Sequence, residues 1–130
     1  MDKIEKIRYW TEGSERDFQT MQNLFEKKDY HWSLFMGHLV LERILKACVI
    51  KALDEQPPYT HNLLLIADKA GLKLSEKQLD DLTVITSFNI EARYDDYKSE
   101  FFKKCTKEYT EKWISEIKEI RLWLIQILEA

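Results

Sequence analysis

Two groups of side chains in this chain have the types and spacing to do chemistry. The first is His38, Glu42 and Lys46. Steps of four residues put them on one stripe of a helix, inside a run that is otherwise apolar almost all round. Three polar side chains on such a helix need partners or an open cleft. They read either as a site lined by an imidazole, a carboxylate and an ammonium, or as an internal network along a helix edge. The second group lies in "NIEARYDDYKSEF", residues 89–101. There Arg93, Tyr94, Asp95, Asp96 and Tyr97 follow an apolar helix, with no Gly or Pro to mark an ordinary turn. Arg93 can hold a phosphate or a carboxylate through two parallel hydrogen bonds. Tyr94 or Tyr97 can stack on a base or seal the end of a bundle. Asp95 or Asp96 can orient Arg93 or cap the next element. The same residues also read as a structural Arg–Asp pair tying two helices together.

Other chemistries are poorly supplied. The three histidines, His31, His38 and His61, form no His-Glu-x-x-His, and no paired Cys-x-x-Cys is present, so no metal and no cofactor is expected. No Gly-x-Ser-x-Gly occurs, and three glycines cannot build a phosphate-cradling loop. Cys48 sits in an apolar run and reads as a buried thiol. Cys105 has Lys103, Lys104 and Lys107 close by, which could lower its pKa; it also reads simply as a helix-start residue. The net charge of −3 argues against a broad basic surface for nucleic acid. Lys98, Lys103, Lys104 and Lys107 follow Arg93, but Asp95, Asp96, Glu100 and Glu108 are interleaved with them, giving a mixed solvated surface.

These groups must be positioned by helices. The chain has 130 residues, suited to one domain over 1–130, with 45% hydrophobic and 33% charged residues and only three Gly and two Pro. Ile4, Ile7, Trp10, Ser14, Phe18, Met21 and Phe25 make one face of a first helix, from about Asp2 to Lys27, which Gly13 could loosen locally. Asp29 is a reasonable N-cap for a second helix, about Tyr30 to Leu53, whose all-round apolar character marks it as the central one. "DEQPPY" ends it. Thr60 can cap a short third helix closed by Gly71. "SEKQ", Ser75 to Gln78, is a capping box opening a fourth, with Leu79, Leu82, Ile85 and Phe88 on one face. The last helix starts near Cys105 to Lys107 and carries Tyr109, Trp113, Ile117, Ile120, Leu124 and Ile127. The expectation is an all-α bundle of about five helices. The charged opening "MDKIEKIRYW" reads as no secretory segment, and no apolar run approaches the roughly 18 residues of a membrane span. No membrane association is expected, and the cytoplasm is the default location.

The run "DYHWSLFMGHLVLERILKACVIKAL" resembles the signature helix of the HEPN domain family, with its His/Gln-x-x-x-Glu-x-x-x-Lys-Ala pattern at His38, Glu42, Lys46 and Ala47. "PPYTHNLLLIA" is similar to the family's proline-rich connection and Thr-His-x-Leu helix start. Ala92, Arg93, Tyr94, Asp95 and Asp96 are similar to a later Ala-Arg-Tyr-x-Asp. The three occur in order over nearly the whole chain. The resemblance implies an up-and-down helical bundle, often a homodimer, in cytoplasmic proteins. It further implies a nucleotide-binding or nucleic-acid-associated role, and in many members a minimal nucleotidyltransferase partner in a toxin–antitoxin-like pair.

Active members of the family are metal-independent ribonucleases with an Arg followed four to six residues later by His. That spacing from Arg93 falls at positions 98 to 100, which hold Lys98, Ser99 and Glu100. Arg8, Arg16, Arg43 and Arg121 lack such a His as well. With no His to move a proton, half of that machinery is missing. The reading is therefore a binding and interaction module, homodimeric, with His38, Glu42, Lys46, Arg93, Tyr94 and Asp95 as ligand-binding candidates for a nucleotide or RNA. The alternative is an atypical ribonuclease using His38 or His61 with Arg93. A shared cleft is expected, with His38, Glu42 and Lys46 on one side, Arg93 and Tyr94 on the other, and Arg93 paired to Glu42 or to a ligand anion.

Overall fold

The computed structural model describes residues 1–130 as six helices and no strand: α1 (Lys3–Glu26), α2 (Tyr30–Leu53), α3 (Leu63–Lys69), α4 (Glu76–Glu91), α5 (Asp95–Lys104) and α6 (Lys107–Glu129). The all-α bundle stands, with one helix more than the sequence pattern provides. That helix, α5, buries Phe101 alone, so it has no apolar stripe to announce it. Phe101 inserts beside Phe88 of α4, with ring centroids 5.5 Å apart, and Phe88 in turn meets Trp113 of α6. Asp95 and Asp96 in its first turn and Lys103 and Lys104 in its last complement the helix dipole.

Helix α2 packs against every other helix. Its buried residues include Leu34, Val40, Leu41, Ile44, Leu45, Cys48, Val49 and Ile50, which is why it is apolar on nearly all sides. Two buried hydroxyls lock α1 to α2. Ser14 Oγ donates to the Val40 carbonyl at 2.7 Å, and Ser33 Oγ donates to the Met21 carbonyl at 2.8 Å. Gly37 allows α2 to approach α1 and α6, since a Cβ there would lie 2.5 Å from Ile117 Cδ1 and 3.3 Å from Met21 Sδ.

The caps follow local chemistry. The Ser75–Gln78 capping box is complete. Asp29 occupies the N-cap of α2 but makes no side-chain cap bond. Thr60 does not cap α3: Asn62 does, accepting from the Leu64 amide, while Thr60 Oγ1 accepts from the Asn62 amide one turn earlier. Gly71 lies beyond the Ala70 cap with φ +74°, a backbone that glycine adopts without strain. Thr106 caps α6.

Candidate functional site

The stripe on α2 is assembled as the spacing requires, and its partner comes from the connection after the prolines. Glu42 is the hub. Its Oε2 accepts from Lys46 Nζ at 3.0 Å, and its Oε1 accepts from His61 Nδ1 at 2.7 Å. A carboxylate can only accept, so Nδ1 of His61 carries the proton and Nε2 is left free. The Glu42 and Lys46 side chains are almost wholly buried, whereas that of His61 is 57% exposed. Burial pushes the Glu42 carboxyl upward. Hydrogen bonds from His61 and Lys46, together with the Lys46 charge, outweigh burial and hold it below its ordinary 4.5.

His38 lies beneath this network with no exposed surface. Its Nε2 is 2.8 Å from the main-chain carbonyl of His61, so Nε2 is the protonated nitrogen and donates. Its Nδ1 is buried without a partner. Burial pushes the imidazole below 6.5 and keeps it neutral. His38 therefore holds the connecting segment onto α2 through main chain, while Glu42 holds the same residue through its side chain.

Above the network opens a cleft of about 410 Å³, lined by Tyr9, Trp10, Glu42, Arg43, Lys46 and His61, with Tyr59 and Thr60 at the rim. The size falls within the roughly 300–1,000 Å³ of small-molecule sites. Lys46 Nζ stands 5.2 Å from the Trp10 ring centroid, a cation–π distance. Arg43 Nε lies 2.9 Å from Asp17 Oδ2, an ion pair without hydrogen-bond alignment. The Arg43 side chain rests on Gly13, where an added Cβ would come within 3.0 Å of one guanidinium nitrogen. Gly13 thus serves close approach and does not interrupt α1.

The two sides of the expected shared cleft do not meet. Arg93 is bonded to its own helix end: Nε donates to the Asn89 carbonyl at 2.9 Å and the guanidinium donates to Asn89 Oδ1 at 2.7 Å. The Asn89 carbonyl is one of those a helix C-terminus leaves open, so Arg93 closes α4 and does not pair with Glu42. Its guanidinium also packs over Phe35 and Tyr94. Asp95 makes no bond to Arg93; its carboxylate is almost fully exposed, 3.5 Å from Lys98. Tyr94 is half exposed. The Arg93 end instead belongs to a second surface, where His31 stacks edge-on with Phe102 and lies beside Trp32, and Trp32 meets Phe35.

Cys105 is not a low-pKa thiol. Burial, aided by Glu91, pushes it up to about 12 despite Lys104, and burial does the same to Cys48. No group of His, Cys, Asp and Glu side chains is placed to hold a metal ion, and no helix is long and apolar enough to cross a membrane.

Trp10, Arg43 and Tyr59 are the site residues that pattern reading passed over. Trp10 fits the apolar stripe of α1 and so reads as core. Arg43 enters the pattern only as an arginine with no His at the ribonuclease spacing. Tyr59, just after two prolines, belongs to no helical stripe and so gives pattern reading nothing to place it by.

The model of the HEPN domain matches residues 7–128 of this chain. No curated protein and no solved structure matches it.

Proposed function

Because the chain belongs to the HEPN domain family, we propose that it is a HEPN-type binding module that takes a nucleotide, free or at an RNA end, into the cleft between α1, α2 and the 54–62 connection. The observation that carries this reading is the pairing of aromatic surface with cations in one cleft: Trp10, Tyr9 and Tyr59 beside Lys46 and Arg43. Aromatic faces accept any base, at about 1–3 kcal/mol per stacked base, and Lys and Arg meet phosphate. His38, Glu42 and Lys46 then build the floor, while Arg93, Tyr94 and Asp95 serve a different surface. Titrating adenosine 5′-monophosphate or a short single-stranded RNA should quench tryptophan fluorescence. Trp10→Ala should abolish the binding measured by calorimetry. Unchanged binding in that variant would sink the reading.

The second surface supports a homodimer. Trp32, Phe102, Tyr94 and Tyr97 are all more than a third exposed and lie near the N-terminus of α2 and along α5 from its N-cap to its last turn. An apolar surface of this kind suits a second copy or another protein, and a nucleotidyltransferase is the partner to test if a second copy does not cover it. Cleavage of RNA by His38 or His61 with Arg93 has less support. His38 is fully buried, and Arg93 is engaged with Asn89, outside the residues lining the cleft.

A further inference from the structure

The cleft is nearly neutral, which is unusual for a phosphate site. Its two cations are already matched: Lys46 by Glu42 and Arg43 by Asp17. A dianionic phosphate entering there would face the Glu42 carboxylate as well as two cations that are already paired. The remaining group is His61. The other charged or titratable groups facing it are Glu42, Lys46, Arg43 and the buried His38 from α2, Tyr9 from α1 and Tyr59 from its own segment.

Glu42 decides what His61 offers. Because Nδ1 is committed as donor to Glu42 Oε1, Nε2 presents a lone pair when the ring is neutral and an N–H when the ring is charged. A fully ionised phosphate oxygen has no proton to give to that lone pair, and the contact is repulsive. With one proton between them, on Nε2 or on the phosphate, the same contact becomes a charge-assisted hydrogen bond. Glu42 fixes the ring orientation, so that Nε2 is the nitrogen turned to a ligand.

We infer that the Glu42–His61 pair makes this cleft a proton-coupled receptor for a phosphate monoester, binding the anion together with one proton shared between His61 Nε2 and a phosphate oxygen. The inference rests on the nucleotide reading of the cleft and specifies its ligand chemistry. A monoester, whose second pKa is near 6, can bring that proton itself. An internal phosphodiester cannot, so a terminal phosphate is preferred over one within a strand.

The test is calorimetry on the full chain with three probes: adenosine 5′-monophosphate, adenosine, and the dinucleotide ApA without terminal phosphate. Titrations run from pH 6 to pH 8.5 in two buffers of different ionisation heat. Expected is uptake of close to one proton per monophosphate bound at the alkaline end. There the affinity falls by about tenfold per pH unit, the slope of one linked proton. Adenosine should show no slope, and ApA should bind more weakly than the monophosphate. His61→Asn keeps an amide donor toward Glu42, and its monophosphate binding should carry no slope. Monophosphate binding without proton uptake, or a slope that survives His61→Asn, overturns the inference and leaves the cleft reading standing. Failure of both the monophosphate and adenosine to bind overturns both. Should circular dichroism find His61→Asn unfolded, the proton count on the wild-type protein decides alone.

Discussion

His61 Nδ1 donates to Glu42 Oε1 across 2.7 Å, joining an exposed connecting residue to a carboxylate buried on the central helix. Glu42 also accepts from Lys46, so one carboxylate satisfies two donors from two parts of the chain. Removing it strands Lys46 on the most buried helix. Glu42→Ala should therefore lower stability by about 3–5 kcal/mol, as loss of one partner from a buried pair does. Glu42→Gln, which keeps an acceptor oxygen and the shape, should cost less. Urea denaturation followed by circular dichroism separates the two.

Stability should fall as the pH drops below 6.5. Burial lowers the pKa of His38, and of His31 as well, below the ordinary value of 6.5. Below 6.5 the unfolded chain therefore binds protons that the folded chain refuses, and the difference favours unfolding until the lowered folded values are reached. Glu42 acts in a lower window. Its stabilisation is complete above 4.5 and is lost as the pH falls through its lowered folded pKa. Urea midpoints measured at pH 7, 6 and 5 should decline, and the decline should be shallower in His38→Gln, leaving the part due to His31.

Gly37→Ala should destabilise by about 1–3 kcal/mol. Alanine is the better helix former by up to about 1 kcal/mol, but its methyl would sit 2.5 Å from Cδ1 of the fully buried Ile117, and overpacking of that size outweighs the propensity gain. A higher melting temperature in the variant would contradict the close α2–α6 contact.

Arg93→Ala should cost only about 1 kcal/mol. Its hydrogen bonds run to Asn89 at a helix end and not to a buried charge. It should leave nucleotide binding unchanged, because Arg93 does not line the cleft. A loss of several kcal/mol, or loss of nucleotide binding, would show that Arg93 reaches the α2 stripe in solution.

Light scattering at high micromolar concentration should give a dimer mass. Phe102 is 64% exposed, so Phe102→Glu should leave the helical content intact and shift the mass to that of a monomer. A monomeric wild-type protein would remove the homodimer reading.

The sequence by itself determined the helical class, the central place of α2 and the chemistry of its stripe. Apolar residues on all sides of a helix can only be buried on all sides, and Glu42 and Lys46 four residues apart meet on any helix. The complete Ser75–Gln78 box and the proline stop after α2 are likewise local, and local pattern is what a sequence displays. Helix α5 was harder to see, because a helix anchored by the single buried Phe101 has no periodicity to detect; its acidic start and basic end were the only sign. What the tertiary structure decided was pairing. Arg93 and His61 are both polar residues beside helix ends, and either could have met Glu42. The choice fell to His61 because the His38 bond to its main-chain carbonyl lays that segment along α2, whereas Arg93 finds its acceptors four residues back on its own helix. Long-range pairing depends on where α1, α2 and the connecting segment converge, and no spacing along the chain encodes that.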